Sequence, residues 1–242
     1  MTASVLADGE APPAPAARRG AGAGSELARR AVAELMGSAL LAAIVVGSGI
    51  MAQRLSEDAG LRLLENAFAT ALGLAVLIAV LGPISGAHFN PLVTLADAAT
   101  GGRHRRDIVP YLAAQVVGCV AGAVLANLMF GLPAVSWSSS ERATWPNLLA
   151  EVIATAGLLM VILLLARTGR GALAAPAVGA YIGAAYWFTA STSFANPAIT
   201  IGRAFSDTFA GIAPASILPF VTAQVLGAAL GAALAVWLTP RR

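Results

Sequence analysis

Charged side chains are scarce in this sequence, and lysine is absent from it. Only 11% of the 242 residues are charged, whereas 58% are hydrophobic, and a soluble domain usually carries about 25% charged residues. All 15 cationic residues are arginines, which stand in small groups between long apolar runs. This distribution argues against a nucleic-acid partner despite the pI of about 9.7. The composition excludes an ordinary soluble domain and indicates a membrane protein.

Cysteine and histidine are also scarce, which limits the available chemistry. The single cysteine, Cys119, cannot form an intrachain disulfide, and its place in an apolar segment favours a packing role. The two histidines, His88 and His104, are well separated in the chain and lack partner cysteines, so no metal site is expected. No serine–histidine or paired-carboxylate arrangement lies in an apolar segment. We therefore expect no cofactor and no enzymatic activity.

Long apolar runs are abundant. A membrane-spanning helix needs roughly 20 mostly apolar residues, and six stretches meet this requirement: about 27–51, 64–84, 108–130, 147–166, 172–190 and 216–238. Residues 1–26 are rich in Ala, Pro and Gly, which predicts a disordered tail. The remainder, 27–242, is expected to be one membrane domain.

The arginines predict an orientation. Eleven of them fall near the N-terminus, in the connectors 101–107 and 167–171, and at the C-terminus, whereas four lie on the opposite side of the predicted spans. An excess of arginine marks the cytoplasmic side. Both termini are therefore expected in the cytoplasm and the protein in the cell membrane.

The two halves of the domain, about 27–130 and 147–238, resemble each other. AELMGSALL parallels AEVIATAGL, SGAHFNPLVT parallels STSFANPAIT, and AQVVGCVAG parallels AQVLGAALG, in the same order and at similar separations along the chain. Because each half has three spans, an odd number, the halves must be inverted in the membrane. Glycines one helical turn apart predict close helix packing at matching places in the two halves: Gly118 and Gly122, and Gly227 and Gly231.

Two apolar connectors, 85–100 and 191–207, are too short to span and each contains an Asn-Pro pair. Asparagine caps helices, and proline at the first helical position has no N–H to leave unpaired. Each pair therefore predicts the start of a half-helix. The positive ends of the two half-helices would meet at the bilayer centre, where they repel protons and cations. The predicted half-helices are 90–99 and 196–206.

HFNPLVT and FANPAIT, with Glu34 and Glu151 early in spans one and four, resemble the major intrinsic proteins, the family of aquaporins and glycerol channels. The resemblance implies six tilted helices and two half-helices around a pore for small neutral solutes, usually in a homotetramer surrounded by membrane lipid. It implies that both glutamates accept hydrogen bonds from re-entrant loops and that His88 helps to hold the first half-helix. The implied pore boxes are Asn90, Pro91, Leu92, Asn196, Pro197 and Ala198.

The sequence departs from the family pattern at two places. The first box ends in Leu92 instead of alanine, which predicts more bulk beside the central constriction. The family's outer selectivity filter normally has an arginine after the second box, where this sequence has Ile199. Counting from the boxes, the other filter positions are Thr70, Ala184 and Ser193. These residues predict a wide, weakly polar filter that admits molecules larger than water.

Arg203 allows two interpretations. It lies one helical turn beyond Ile199, and because helical side chains lean toward the N-terminus, its guanidinium can point back at the constriction. Alternatively, it forms an ion pair at the mouth with Asp207, one turn further on.

The solute and the transport class also have alternatives. The filter and the SDTFAG run after the second box resemble microbial channels associated with arsenic detoxification, which implies arsenous acid as one solute; water, glycerol or another neutral molecule is the alternative. A proton-coupled secondary transporter is the competing class, since inverted repeats occur there too. Glu34 and Glu151 would then be its coupling carboxylates.

Overall fold

The computed structural model describes residues 23–239, and the regular structure in this range is helical. Six helices are long and apolar enough to cross a membrane, and two are much shorter. In chain order they are α1 (Ala23–Leu55), α2 (Ala59–Ser85), α3 (Pro91–Thr100), α4 (Ile108–Met129), α5 (Trp145–Arg167), α6 (Ala174–Phe188), α7 (Pro197–Arg203) and α8 (Pro214–Leu238). The predicted fold of six spans and two half-helices is confirmed.

One boundary changes the extent of the predicted tail. Helix α1 begins at Ala23, so the end of the predicted disordered tail is helical. Alanine, leucine and glutamate are good helix formers, and Glu26 in the first turn complements the helix dipole. The rest of the predicted tail, residues 1–22, lies outside the described residues.

Helix α7 ends at Arg203, earlier than the predicted half-helix 196–206. Beyond it, the carbonyls of Ala204 and Phe205 accept hydrogen bonds from the backbone N–H groups of Ser138 and Ser136 in the α4–α5 connector, at 3.0 and 3.1 Å. The connector is thereby attached to the segment that follows the second half-helix.

The four predicted packing glycines lie where helices cross closely. An added Cβ at any of them would collide with a backbone carbonyl of the neighbouring helix. Glycine is therefore required for α4 to approach α1 and for α8 to approach α5 at these distances. The contacts are Gly118 with Leu35, Gly122 with Ala39, Gly227 with Val152, and Gly231 with Ala156.

Candidate functional site: a path between two half-helices

A cavity of about 650 Å³ extends past the N-termini of both half-helices. Asn90 and Asn196 line its middle. One end, which we call the α3 mouth, is lined by residues that include His88, Asp97 and Thr100. The other end, the α7 mouth, is lined by side chains from α2, α6, α7 and the loop before α7: Thr70, Ile182, Tyr186, Ser193, Ile199 and Arg203.

The two asparagines cap the half-helices and tie them together. Asn90 Oδ1 accepts from the backbone N–H of Leu92 at 3.0 Å, and Asn196 Oδ1 accepts from Ala198 N at 2.9 Å. Each side-chain amide donates across the cavity, Asn90 Nδ2 to Ala195 O at 2.8 Å and Asn196 Nδ2 to Phe89 O at 2.7 Å. Because an amide has two N–H groups, each asparagine keeps one donor for a solute.

The loops before the half-helices adopt matching left-handed backbone conformations. Ala87 and Phe89 have φ of 49° and 47°, and the corresponding residues of the second half, Ser193 and Ala195, have φ of 53° and 47°. Such conformations are unfavourable for residues with a Cβ and persist only where the surroundings hold them. Here they place the carbonyls of Phe89 and Ala195 within reach of the opposite asparagine.

Glu34 and Glu151 hold these loops. Both are fully buried. Glu34 accepts from the N–H groups of His88 and Phe89 at 3.0 and 2.7 Å, and Glu151 accepts from Phe194 and Ala195 at 2.9 and 2.8 Å. A glutamine on the third span of each half completes the site: Gln115 of α4 donates to Glu34, and Gln224 of α8 donates to Glu151. Neither carboxylate lines the cavity.

Leu92 is not beside the constriction, contrary to the prediction. Its side chain is buried in the apolar core and does not line the cavity. The helical turn that starts at Pro91 directs the third residue of the box away from the path, and Val93 faces the path instead. Pro91, Pro197 and Ala198 are likewise buried in the first turns of the half-helices.

His88 braces the first half-helix at the α3 mouth. Its Nδ1 lies 3.0 Å from Thr94 Oγ1, and its Nε2 lies 3.3 Å from Asp97 Oδ2. Arg103 also approaches Asp97, with 3.6 Å between Nε and Oδ2, and donates to Ser85 O at 2.7 Å. The α3 mouth therefore carries a carboxylate with two basic neighbours.

Ala184 is not part of the α7 mouth, which corrects the predicted filter. It is exposed on the outer face of α6, whereas Val178, Ile182 and Tyr186 line the cavity, each one helical turn from the next. Counting back from the second box crosses the irregular segment 189–195, where helical register is not maintained. The helical spacing of apolar and aromatic residues on α6 is the signal that could have identified Ile182 and Tyr186.

The remaining predicted filter residues, Thr70, Ser193 and Ile199, do line the cavity. Thr70 Oγ1 lies 3.2 Å from the Tyr186 hydroxyl. With Tyr186 and Arg203 present, the α7 mouth is bulkier and more polar than the predicted set of Thr, Ala, Ser and Ile.

Arg203 lines the cavity and does not pair with Asp207. Its side chain is only 2% exposed, its guanidinium carbon lies 3.5 Å from the centroid of the Phe194 ring, and its Nε donates to Ala210 O. Asp207 instead accepts hydrogen bonds from Ser139 at the surface. Among residues 23–239, no carboxylate lies within ion-pair distance of Arg203.

Comparisons with known proteins agree with this architecture. Residues 23–195 match the family model described as major intrinsic protein. The chain is 50% identical over 213 residues to aquaglyceroporin AqpS of Rhizobium meliloti, covering 88% of this chain and 91% of the relative. It is 28% identical to the propanediol uptake facilitator PduF of Citrobacter freundii, covering 86% and 91%. In structure it is similar to the aquaglyceroporin from Plasmodium falciparum, with a TM-score of 0.65, 19% identity and coverage of 86% and 95%.

Proposed function

We propose, from the premise that the chain belongs to the major intrinsic protein family, that this passive membrane channel conducts neutral polyols of about the size of glycerol as well as water. The names of two similar proteins, an aquaglyceroporin and a propanediol facilitator, support this solute class. Arsenous acid, a neutral molecule with three hydroxyls, belongs to the same class and remains a candidate solute.

The single observation that carries the proposal is the two-sided lining of the α7 mouth. Thr70, Tyr186 and Arg203 supply hydroxyl and guanidinium groups, whereas Ile182 and Ile199 supply apolar surface. A polyol can place its hydroxyls against the polar groups and its C–H groups against the isoleucines. Few hydrogen bonds hold it there, so it can leave quickly, as conduction requires.

Removal of the Arg203 side chain tests this assignment. Arg203→Ala should open the α7 mouth and raise the ratio of glycerol to water permeability, because the barrier for the larger molecule falls more. A change of about tenfold corresponds to about 1.4 kcal/mol of barrier. The measurement is stopped-flow swelling of proteoliposomes with water and glycerol gradients.

Ala184→Val is the matched control, because Ala184 lies on the same helix as Ile182 but is exposed on the opposite face. It should leave the permeability ratio unchanged. A ratio that responds to Ala184→Val and not to Arg203→Ala would contradict the filter proposed above. Wild-type vesicles that pass water and exclude both glycerol and arsenous acid would refute the solute class.

A proton-coupled transporter is the alternative function. Coupling needs a carboxylate on the path that can change its protonation state, and Glu34 and Glu151 are buried, hydrogen-bonded and away from the cavity. In the described part of the chain the carboxylate that lines the cavity is Asp97, at the α3 mouth. We expect solute flux to be independent of an imposed proton gradient; flux that follows the gradient would favour the transporter.

We also propose how the channel excludes ions, how it is oriented in the membrane and how it assembles. The opposed half-helix N-termini should exclude protons and cations. The arginine distribution favours a cell-membrane protein with both termini, and hence the α3 mouth, in the cytoplasm. We propose a homotetramer with one path per subunit. Surface labelling of single cysteines in connectors 56–58 and 168–170 on intact cells tests the orientation.

A further inference from the structure

A second arginine, Arg142, lies behind the α7 mouth without lining the cavity. It belongs to the α4–α5 connector, and its backbone is held from both sides. The Arg142 N–H donates to Ser216 Oγ at 2.9 Å, and its carbonyl accepts from Asn147 Nδ2 at 2.9 Å. Since Asn147 is in the first turn of α5 and Ser216 in the first turn of α8, Arg142 is anchored to two spanning helices.

The guanidinium of Arg142 holds the same loop as Arg203. Arg142 Nε donates to Gly211 O at 2.6 Å and Nη2 to Phe209 O at 3.0 Å. Between them, Ala210 O accepts from Arg203 Nε. Three consecutive carbonyls are therefore occupied by two arginines.

The two arginines also share the Phe194 ring. Their guanidinium carbons lie 3.5 Å (Arg203) and 5.4 Å (Arg142) from its centroid. Burial lowers the pKa of Arg142 from its ordinary value. Two neighbouring cations repel each other, and the aromatic ring and the loop carbonyls offset this repulsion.

From these contacts we propose that Arg142 is a positioning residue for the selectivity of the channel, fixing the 209–211 loop and thereby the orientation of Arg203 in the path. The inference rests on the proposed role of Arg203 at the α7 mouth. Arg142 itself does not touch the solute. Arg142 acts by fixing the loop whose Ala210 carbonyl accepts the hydrogen bond from Arg203. Its own positive charge also keeps the Arg203 guanidinium directed toward the cavity.

The test measures the ratio of glycerol to water permeability in single variants and in a double variant, which shows whether Arg142 and Arg203 act together. Arg142→Gln removes the charge and the two hydrogen bonds to the loop carbonyls. The glycerol-to-water permeability ratio should therefore change by roughly two- to fivefold. The change should have the same direction as in Arg203→Ala and be smaller. Arg142→Lys keeps the charge but cannot bridge Gly211 O and Phe209 O with a planar fork, so its shift should be intermediate. In an Arg203→Ala background, Arg142→Gln should add no further shift.

Arg54→Gln is the matched control, since Arg54 also donates to a backbone carbonyl and lies over a phenyl ring, both of Phe130, away from the cavity. It should leave the ratio unchanged. If Arg142→Gln fails to insert, Ser216→Ala loosens the Arg142 backbone and keeps the guanidinium, and it should shift the ratio in the same direction.

The outcomes separate this inference from the proposed function. An unchanged ratio in Arg203→Ala removes the proposed filter, whatever Arg142 does. A shift in Arg203→Ala, with Arg142→Gln lowering both fluxes equally and reducing thermal stability, makes Arg142 a structural residue only and overturns the inference. The same holds if the Arg142→Gln shift persists in full in the Arg203→Ala background.

Discussion

The α3 mouth and the α7 mouth share one backbone design but differ in the side chains that line the path. Each has a buried glutamate that holds the loop, an asparagine cap and matching left-handed residues. At corresponding positions of the two Asn-Pro segments, His88 is replaced by Phe194 and Asp97 by Arg203. The α3 mouth therefore has a carboxylate beside two bases, whereas the α7 mouth has the guanidinium group of Arg203 over an aromatic ring.

The comparison distinguishes the residues that hold the loops from the residues that select the solute. The features common to both halves supply hydrogen bonds to backbone groups of the re-entrant loops, which inside a membrane cannot be left unpaired at low cost. The features that differ lie on the path, where they meet the solute. The repeat therefore identifies the scaffold of the channel, and the residues that break the repeat identify its chemistry.

The largest effect should come from removing the common support. Glu34→Ala and Glu151→Ala each leave two loop N–H groups unpaired, at about 1–3 kcal/mol for each buried group, and remove one of the two hydrogen bonds that the neighbouring glutamine amide donates. Glu34 also accepts from Ser85 Oγ at 2.6 Å, so Glu34→Ala should be the more damaging change. Thermal stability and the yield of monodisperse oligomer in detergent measure the effect.

Asp207→Ala provides the control for these two variants, because Asp207 also accepts hydrogen bonds from a backbone N–H and a hydroxyl, but at the surface. It should cost little stability. Normal stability of Glu151→Ala, combined with lost proton coupling, would favour the transporter. Glu34 and Glu151 would then have different roles at the two mouths.

A second, smaller loss of stability should follow from filling the helix crossings. Gly122→Ala and Gly231→Ala each direct a Cβ into a carbonyl, of Ala39 and Ala156 respectively. Overpacking of this kind costs about 1–3 kcal/mol, and the two variants should unfold at similarly lowered temperatures. Gly82→Ala is the control, since an added Cβ there meets open space. A harmless change at one crossing alone would show that the two halves are not equivalent in packing.

The sequence predicts the scaffold well because its signals are local or repeated. Apolar runs place the spans within a few residues, and each Asn-Pro pair marks a half-helix start through capping chemistry. The paired glycines match crossings that admit no side chain. These features depend on neighbouring residues in the chain or on one helix pair.

The chemistry of the α7 mouth is less predictable because it is assembled from irregular segments. Counting back to Ala184 crosses residues 189–195, where helical register is lost, and the cavity is lined by Ile182 and Tyr186 instead. Arg142 is distant from Arg203 in the chain, and no periodic pattern links an arginine in one connector to carbonyls in another. Only the folded arrangement brings the two arginines to one ring.

The smallest expected effect concerns polarity at constant size. Tyr186→Phe removes the hydroxyl that lies 3.2 Å from Thr70 Oγ1 and keeps the ring, so the width of the α7 mouth should not change. A glycerol molecule loses one hydrogen-bonding group there, and its permeability relative to water should fall by about twofold, the low end of what one hydrogen bond contributes. Thr70→Val should act in the same direction, and the effect of the double variant should fall short of the sum of the two single effects because the two hydroxyls are partners.

Tyr181→Phe is the matched control, since the Tyr181 hydroxyl on the same helix donates to Ala154 O at 3.0 Å and does not line the cavity. If both tyrosine variants change stability and neither changes the ratio, the hydroxyl pair is structural, and the polar side of the α7 mouth consists of Arg203 and Ser193.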